Sequence, residues 1–354
     1  MTYGNYPDLS GVKKILVVKL RQLGDVLLTT PVFTVLKNQF PEAQIDAYIY
    51  SDSISLLKNH PSIHSLITYN RGWRSLPFFP KLYNEWRVWK KIRREGYDLV
   101  INLTEGDRGA VAALISGAKV RVGFPPKGKW QKKFYTHIAK QCPGLRHTVE
   151  RNLDPLRKIG IFPNLEDREL FAHVSEESLL SMKKEVGEGS FTLIHPTSRW
   201  RFKCWPVEKM RELTKRLIQN GERVVFTSGP DFFEKEMIND ITQGLDIINL
   251  SGKISLEELS AVIAMSECVI CVDSLPFHIA NALKKKVIAL FGPTSDVTWG
   301  PWRNPDARVV SQNMSCRPCY QDGCGGSKKS DCLTNLSVER LMEAYTNRHK
   351  YLPI

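Results

Sequence analysis

Short apolar runs, each a strand in length and each followed by a turn and an amphipathic stretch, recur along the whole chain. In the first half they read Lys14–Leu20, Gln44–Tyr50, Leu66–Tyr69, Asp98–Leu103 and Lys119–Phe124. In the second half they read Phe191–Ile194, Arg223–Thr227, Cys268–Val272 and Val287–Phe291. The first run has few polar residues to alternate, so it reads as a strand buried on both faces of a parallel sheet. Helical spacing falls between the runs, over 26–38, 85–95, 107–116 and 147–159, then 207–220, 232–243, 255–264 and 276–283. Ser255 and Glu258 have the spacing of a capping box. Residues 70–83, rich in aromatics and proline, read as irregular. The rhythm predicts α/β winding in both halves.

A chain of 354 residues most simply makes two such domains. Gly160–Arg168, with Pro163 and Asn164, is the candidate linker. The expected domains are residues 1–165 and 166–335. Residues 336–354 read as a terminal helix, starting at Val338, that could pack back on the first domain; the sequence leaves its packing partner open. Ligands of doubly wound sheets sit at the carboxyl ends of the strands, and two such domains face to face would leave a cleft. The N-terminal residues 1–11 are polar, and no run reaches the length of a membrane span. The expectation is a cytosolic protein that meets a membrane only from its surface.

Of eight cysteines, Cys142, Cys204, Cys268 and Cys271 are scattered or sit in apolar strands and read as reduced thiols. Cys316, Cys319, Cys324 and Cys332 cluster in a glycine-rich stretch. Close thiol pairs can hold a structural metal, although this spacing fits no known zinc module, and reduced thiols or a disulfide remain the alternatives. The net charge of +13 favours an anionic partner: nucleic acid, an anionic membrane surface or a phosphorylated substrate. The basic loops lack the helix-turn-helix or aromatic signature that nucleic-acid recognition needs.

Four strand-end clusters carry candidate chemistry. Gly24–Asp25 follows the first strand, where a carboxylate can cap a helix or act as a general base. Thr197, Ser198, Arg199, Arg201 and Lys203 lie between strand and helix, where hydroxyls and cations suit a phosphate, with Lys203 the cation expected on a diphosphate. Asp231 and Glu234 either cap a helix or bind ribose hydroxyls. Asp273, Ser274 and His278 end an apolar strand and open a helix, forming an anion nest. Gly292–Ser295 is a weaker loop of the same kind.

Four pieces of the chain together resemble the lipopolysaccharide heptosyltransferases of glycosyltransferase family 9. They are Lys19–Pro31, His195–Ser198 with Phe202–Trp205, Val272–Ser274 with His278–Ala280, and Leu290–Thr294. The likeness runs from Ile15 to about Asn304. Among the branches it is most similar to heptosyltransferase III, on Phe202–Trp205 and Trp299–Asn304. The resemblance implies a GT-B architecture, two Rossmann-like doubly wound domains facing a central cleft, with acceptor in the first and nucleotide-sugar in the second. It implies ADP-L-glycero-D-manno-heptose as donor, an inverting displacement, and no required cofactor or catalytic metal. By position, Asp25 matches the general base and Lys203 the lysine beside the donor phosphates. Thr197, Ser198, Glu234, Asp273, Ser274 and His278 match donor contacts. Leu275 departs from the pattern, which usually has a small residue there.

The implied acceptor is a lipid-anchored, phosphorylated oligosaccharide at an anionic membrane, so the implied location is cytoplasmic and peripheral on the inner face of the inner membrane. That accounts for the positive charge. Arg21, Arg71, Arg74, Lys127 and Lys129 are the expected acceptor contacts, with Trp73, Phe78, Phe79 and Trp130 among them. Heptosyltransferase I or II, or another family 9 sugar transferase, is the alternative within the family. A basic nucleic-acid-binding protein and a non-catalytic nucleotide-binding module are the alternatives outside it; the second would be expected to lose the base, yet Asp25 is present.

Overall fold

A computed structural model describes residues 6–126, 128, 130–140 and 144–348. The chain divides into two compact units, one ending at Phe171 and the other beginning at Ala172.

In the first unit the strands are β1 (Lys14–Lys19), β2 (Gln44–Tyr50), β3 (Ser65–Tyr69), β4 (Leu99–Asn102), β5 (Val120–Gly123) and β6 (His137–Ile138). Its helices are α1 (Leu23–Leu27), α2 (Thr30–Gln39), α3 (Ile54–Leu57), α4 (Phe78–Glu95), α5 (Asp107–Ser116) and α6 (Thr148–Lys158). In the second unit the strands are β7 (Thr192–His195), β8 (Val224–Phe226), β9 (Ile248–Asn249), β10 (Cys268–Val272), β11 (Lys286–Phe291) and β12 (Ala307–Ser311). Its longer helices are α7 (Glu176–Val186), α8 (Val207–Gln219), α9 (Phe232–Thr242), α10 (Leu256–Met265) and α11 (Leu275–Ala282). Three more follow: α12 (Asp296–Trp299), α13 (Asp331–Thr334) and α14 (Val338–Thr346).

All pairings in both sheets are parallel. The first sheet has the order β3-β2-β1-β4-β5-β6 and the second β12-β11-β10-β7-β8-β9. These are one topology used twice. Each sheet reverses direction once, between β1 and β4 in the first and between β7 and β10 in the second. A loop leaving either of those strands faces a loop on the opposite winding, which is where doubly wound sheets take ligands. The central strands explain the fold: Ile15–Lys19 and all of β10 are buried. Helices cover both faces, as parallel sheets require.

Several expected boundaries shift for physical reasons. The helix expected over 26–38 is two helices, α1 and α2. Thr29 and Thr30 donate their hydroxyls to the carbonyls of Val26 and Leu27 and close the first one. The helix expected from Glu85 begins at Phe78, because Pro77 sits at its N-cap and Pro80 in its first turn, where no intrahelical N–H is needed. Short strands β6 and β9, edge strand β12 and helix α7 were not legible as apolar runs. The capping box forms as its spacing requires: Glu258 N–H donates to Ser255 Oγ at 3.2 Å and Ser255 N–H to Glu258 Oε2 at 2.8 Å.

The unit boundary lies after 171 rather than after 165. Asn38 Nδ2 donates to Asp167 Oδ1 at 2.8 Å and Phe171 N–H to Thr30 Oγ1 at 3.0 Å, which ties the expected linker to the first unit. Val338, Leu341 and Tyr345 of α14 lie in the core of the second unit, with Trp205, Leu213 and Leu217. The Thr192 and Tyr345 hydroxyls bond there. Its apolar face is thus satisfied within the second unit. Leu341→Ala should therefore lower the unfolding free energy of that unit by about 2–5 kcal/mol, read by urea unfolding. A loss of a few tenths would mean the helix only rests on the surface.

Candidate nucleotide and acceptor sites

In the second unit, the loops leaving β7 and β10 meet at the switch point. Lys203 Nζ lies 2.7 Å from Asp273 Oδ2 and 3.5 Å from the Asp273 carbonyl. Thr294 Oγ1, from the loop after β11, donates to the same Oδ2 at 2.7 Å. Three loops therefore converge on one carboxylate, which is almost fully buried. An ammonium has three donors, so this pairing leaves Lys203 able to serve a second anion. Arg201 instead stacks on Phe233, 3.9 Å from its ring centre, and Arg199 lies over Trp200 at 5.5 Å.

The expected hydroxyl pair is divided. Buried Thr197 donates to Glu234 Oε2 at 2.6 Å, and Gly229 N–H donates to the same oxygen at 3.0 Å. Ser198 Oγ accepts from Trp200 N–H at 3.3 Å. Glu234 thus bridges the β7–α8 and β8–α9 loops. A methyl group at Gly229 would come 2.6 Å from Glu234 Oε1, so the glycine makes that approach possible. Asp231 is the N-cap residue of α9 but makes no side-chain cap bond. Ser274 caps α11 by position while its hydroxyl donates to the Val272 carbonyl at 3.2 Å. That keeps its oxygen off the first helical N–H groups. His278 is buried one turn into α11. His195, at the end of β7, is held neutral at physiological pH, since burial lowers it to about 4. It contributes no positive charge to the site.

In the first unit, Asp25 is the third residue of α1 rather than its cap; Gln22 holds that position. Behind it lies Lys19, which the sequence did not single out. Its ammonium is buried and donates to the Leu103 carbonyl at 3.3 Å and to Asn152 Oδ1 at 3.1 Å. Asn152 Nδ2 in turn donates to the Leu28 carbonyl at 2.9 Å, at the C-terminal end of α1. The chain Lys19–Asn152–Leu28 ties the helix that carries Asp25 to the β1/β4 switch point. A lysine with no alternating polar neighbours in an apolar strand was the available signal.

Arg21, Arg71 and Arg74 gather beside this site. Arg71 donates to the Arg21 carbonyl at 2.7 Å, pairs with Asp52 at 3.0 Å and stacks 3.9 Å from the Tyr50 ring centre. Arg74 donates to the Tyr50 hydroxyl. Arg71 is therefore part-neutralised and fixed, whereas Arg21 is exposed. Lys127 and Lys129 lie outside the described residues, as does Cys142. The other seven cysteines are free thiols. Burial pushes Cys204 and Cys268 up to about 12. Among the described residues no group of three or more His, Cys, Asp or Glu could hold a metal ion; Cys316 and Cys324 are exposed, Cys319 is half-buried and Cys332 is buried.

The sequence model of glycosyltransferase family 9 (heptosyltransferase) matches residues 85–329. The chain belongs to glycosyltransferase family 9. It is 37% identical over 296 residues to lipopolysaccharide heptosyltransferase 3 of Escherichia coli, covering 80% of this chain and 83% of that one. A solved family 9 glycosyltransferase from Veillonella parvula superposes with a TM-score of 0.82 at 23% identity, over 98% of this chain and all of that one. The Escherichia coli heptosyltransferase WaaC, solved with ADP-2-deoxy-2-fluoro heptose, superposes with a TM-score of 0.71 at 20% identity, over 94% and 99%. The GT-B fold class implied by the family 9 resemblance is the one observed. No described helix is long and apolar enough to cross a membrane.

Lys19 gives this family 9 chain a measurable signature. Burial lowers its ammonium to about 8 from an ordinary 10.5, with Asp25 opposing the shift. Between those values the unfolded chain holds the extra proton, so stability rises with pH there. Wild type should gain unfolding free energy across that window relative to Lys19→Met, read by urea unfolding. Parallel pH profiles would remove the buried-charge assignment.

Proposed function

We propose that the chain is an inverting heptosyltransferase that moves L-glycero-D-manno-heptose from ADP-heptose to an inner-core heptose of lipopolysaccharide. The observation that carries this reading is the Lys203–Asp273–Thr294 cluster at the switch point of the second sheet, where such folds take nucleotides. The 37% identity to a heptosyltransferase 3 supports the branch. A neighbour solved with an ADP-heptose analogue supports the donor.

In this reading the second unit binds donor and the first binds acceptor. The acceptor hydroxyl oxygen attacks the anomeric carbon as the bond from that carbon to the diphosphate oxygen breaks. Asp25 takes the hydroxyl proton as general base. Negative charge grows on the departing ADP and is met by Lys203 Nζ, rather than by a divalent cation, and by the N–H groups of Leu275 and Phe277 at the start of α11. Pro276 lacks an N–H, so this nest has one donor fewer than usual. Asp273 and Thr294 hold the lysine in place. Glu234 Oε1 is the oxygen we assign to the ribose, since Oε2 is occupied by Thr197 and Gly229. Ser198, Ser274 and His278 complete the donor contacts. Arg21, Arg71 and Arg74, with Lys127 and Lys129, meet the acceptor phosphates. Because that acceptor is lipid-anchored, the enzyme works at the cytoplasmic face of the inner membrane.

Transfer from ADP-heptose to core acceptors truncated at successive sugars, read by mass spectrometry, tests the assignment. Addition only when the heptose bearing the branch point is present is the expected result. Addition to an acceptor with no heptose, or with one, would reassign the chain to the first or second enzyme of the series. Asp25→Asn should lower kcat by about 10²–10⁴ with ADP-heptose affinity nearly intact. Lys203→Ala should weaken both donor binding and turnover; unchanged donor affinity would remove the diphosphate role.

A further inference from the structure

Helix α4 presents two unlike faces. Val88 and Ile92 are buried against the first unit. Its acids are paired with other elements: Glu85, turned inward, accepts from Arg108 at 2.8 Å and from the Tyr69 hydroxyl at 3.0 Å, and half-buried Glu95 pairs with Lys14 at 3.1 Å. The opposite face carries what a helix in water normally hides. Phe78 is 70% exposed, Phe79 79%, Tyr83 58% and Trp86 48%. Phe79, Tyr83, Trp86 and Lys90 follow at steps of four, three and four, so they form one stripe along the helix. Rings at its N-terminal end touch one another, Phe78 with Phe79 at 5.6 Å and Tyr83 with Trp86 at 6.2 Å between centres. Further along, the exposed residues are cations. Lys90 Nζ lies 4.4 Å over Trp86 and Arg87 lies 5.8 Å over Tyr83. Lys91 and Arg94 are exposed beyond them, and neither acid of the helix is.

We propose that this face of α4 is the surface by which the protein docks on an anionic phospholipid bilayer. The aromatic end enters the headgroup layer, where amphipathic rings are favoured, and the cationic end lies on the anionic surface. The two parts add, because binding of an interfacial helix grows with its buried apolar area and with its electrostatic attraction to anionic lipid. The match is one of charge as well as shape: Arg87, Lys90, Lys91 and Arg94 line the exposed side without an exposed acid of the same helix among them. Each cation near an anionic leaflet is worth roughly fivefold in partition, and almost nothing on a neutral one. The inference deepens the lipid-anchored acceptor reading above, but the surface and its test need neither donor nor acceptor.

The test is co-sedimentation of the full chain with phosphatidylcholine vesicles, with and without about a third phosphatidylglycerol. Wild type should bind the anionic vesicles, release in high salt, and bind the neutral ones weakly. Lys90→Glu with Arg94→Glu should lower anionic-vesicle partition at least about twenty-five-fold. Tyr83→Ser with Trp86→Ser should lower it at low salt, with both cations still in place. All variants should keep wild-type transfer to an acceptor freed of its acyl chains, which also shows that they fold. Equal binding of wild type to both vesicles, no binding, or variants that bind like wild type would overturn the docking surface. So would a wild-type dimer that the Tyr83–Trp86 variant turns monomeric without any change in vesicle binding, since the face would then be an interface between copies. Loss of heptose transfer with vesicle binding intact would count against the proposed function and leave the docking surface standing.

Discussion

The ion pair of Lys203 with Asp273 joins two segments 70 residues apart at the one place where the second sheet reverses its winding. A carboxylate taken out of water needs its charge met on the spot, and here an ammonium and the Thr294 hydroxyl share one of its oxygens. Removing one partner of such a pair costs about 3–5 kcal/mol, because the other charge stays buried alone. The pair therefore fixes the β7–α8, β10–α11 and β11–α12 loops against one another before any ligand arrives. Glu234 does the same for the loop after β8 through Thr197 and Gly229. Loops fixed this way have little conformational freedom left to lose.

The first unit uses the same topology with different chemistry at the corresponding point. Its switch-point cation, Lys19, is turned inward onto the Leu103 carbonyl and Asn152 instead of outward to a ligand. Leu20 N–H donates to Thr104 Oγ1 at 2.7 Å across the same gap. The result is a rigid platform for a five-residue helix that could not hold itself. Helices this short are not stable without tertiary support. One sheet order thus serves two ends: in the second unit the gap presents its charge, and in the first it spends its charge on anchoring α1 and Asp25.

What could be read from the sequence follows from how local each cause is. β10 and α5 were legible to the residue, since a strand buried on both faces or a clean amphipathic turn writes itself into consecutive side chains. The edge strands β6, β9 and β12 were not, because they are short or half-buried and take their conformation from a neighbour. The split between α1 and α2 was signalled by Thr29 and Thr30, but their back-bonding to Val26 and Leu27 competes closely with a continuing helix. At the site, residue types were legible one by one: Asp273, Lys203, Glu234 and Thr197 all stood at strand ends. Their pairings were not, since nothing in the spacing says that Thr197 turns to Glu234 or that Thr294 joins Asp273. Lys19 was missed for the opposite reason, looking like an ordinary strand residue until the fold closed round it.

The net charge of +13 is similarly a property that only the fold can apportion. At physiological salt an exposed charge is screened beyond about 8 Å, so a partner feels the nearby face and not the total. Several of the cations that a count includes are already answered inside the protein: Arg108 by Glu85, and Arg157 by Glu150 and Asp154. Those residues shape the molecule and contribute little field outside it. The exposed side of α4 is different, because its acids are paired with Arg108 and Lys14 and its cations are left outward next to bare aromatic rings. The sign of the whole chain allows nucleic acid, a phosphorylated sugar or a membrane equally. The arrangement on that helix favours a surface that is at once anionic and apolar just beneath, a description that fits a bilayer better than it fits a nucleic acid.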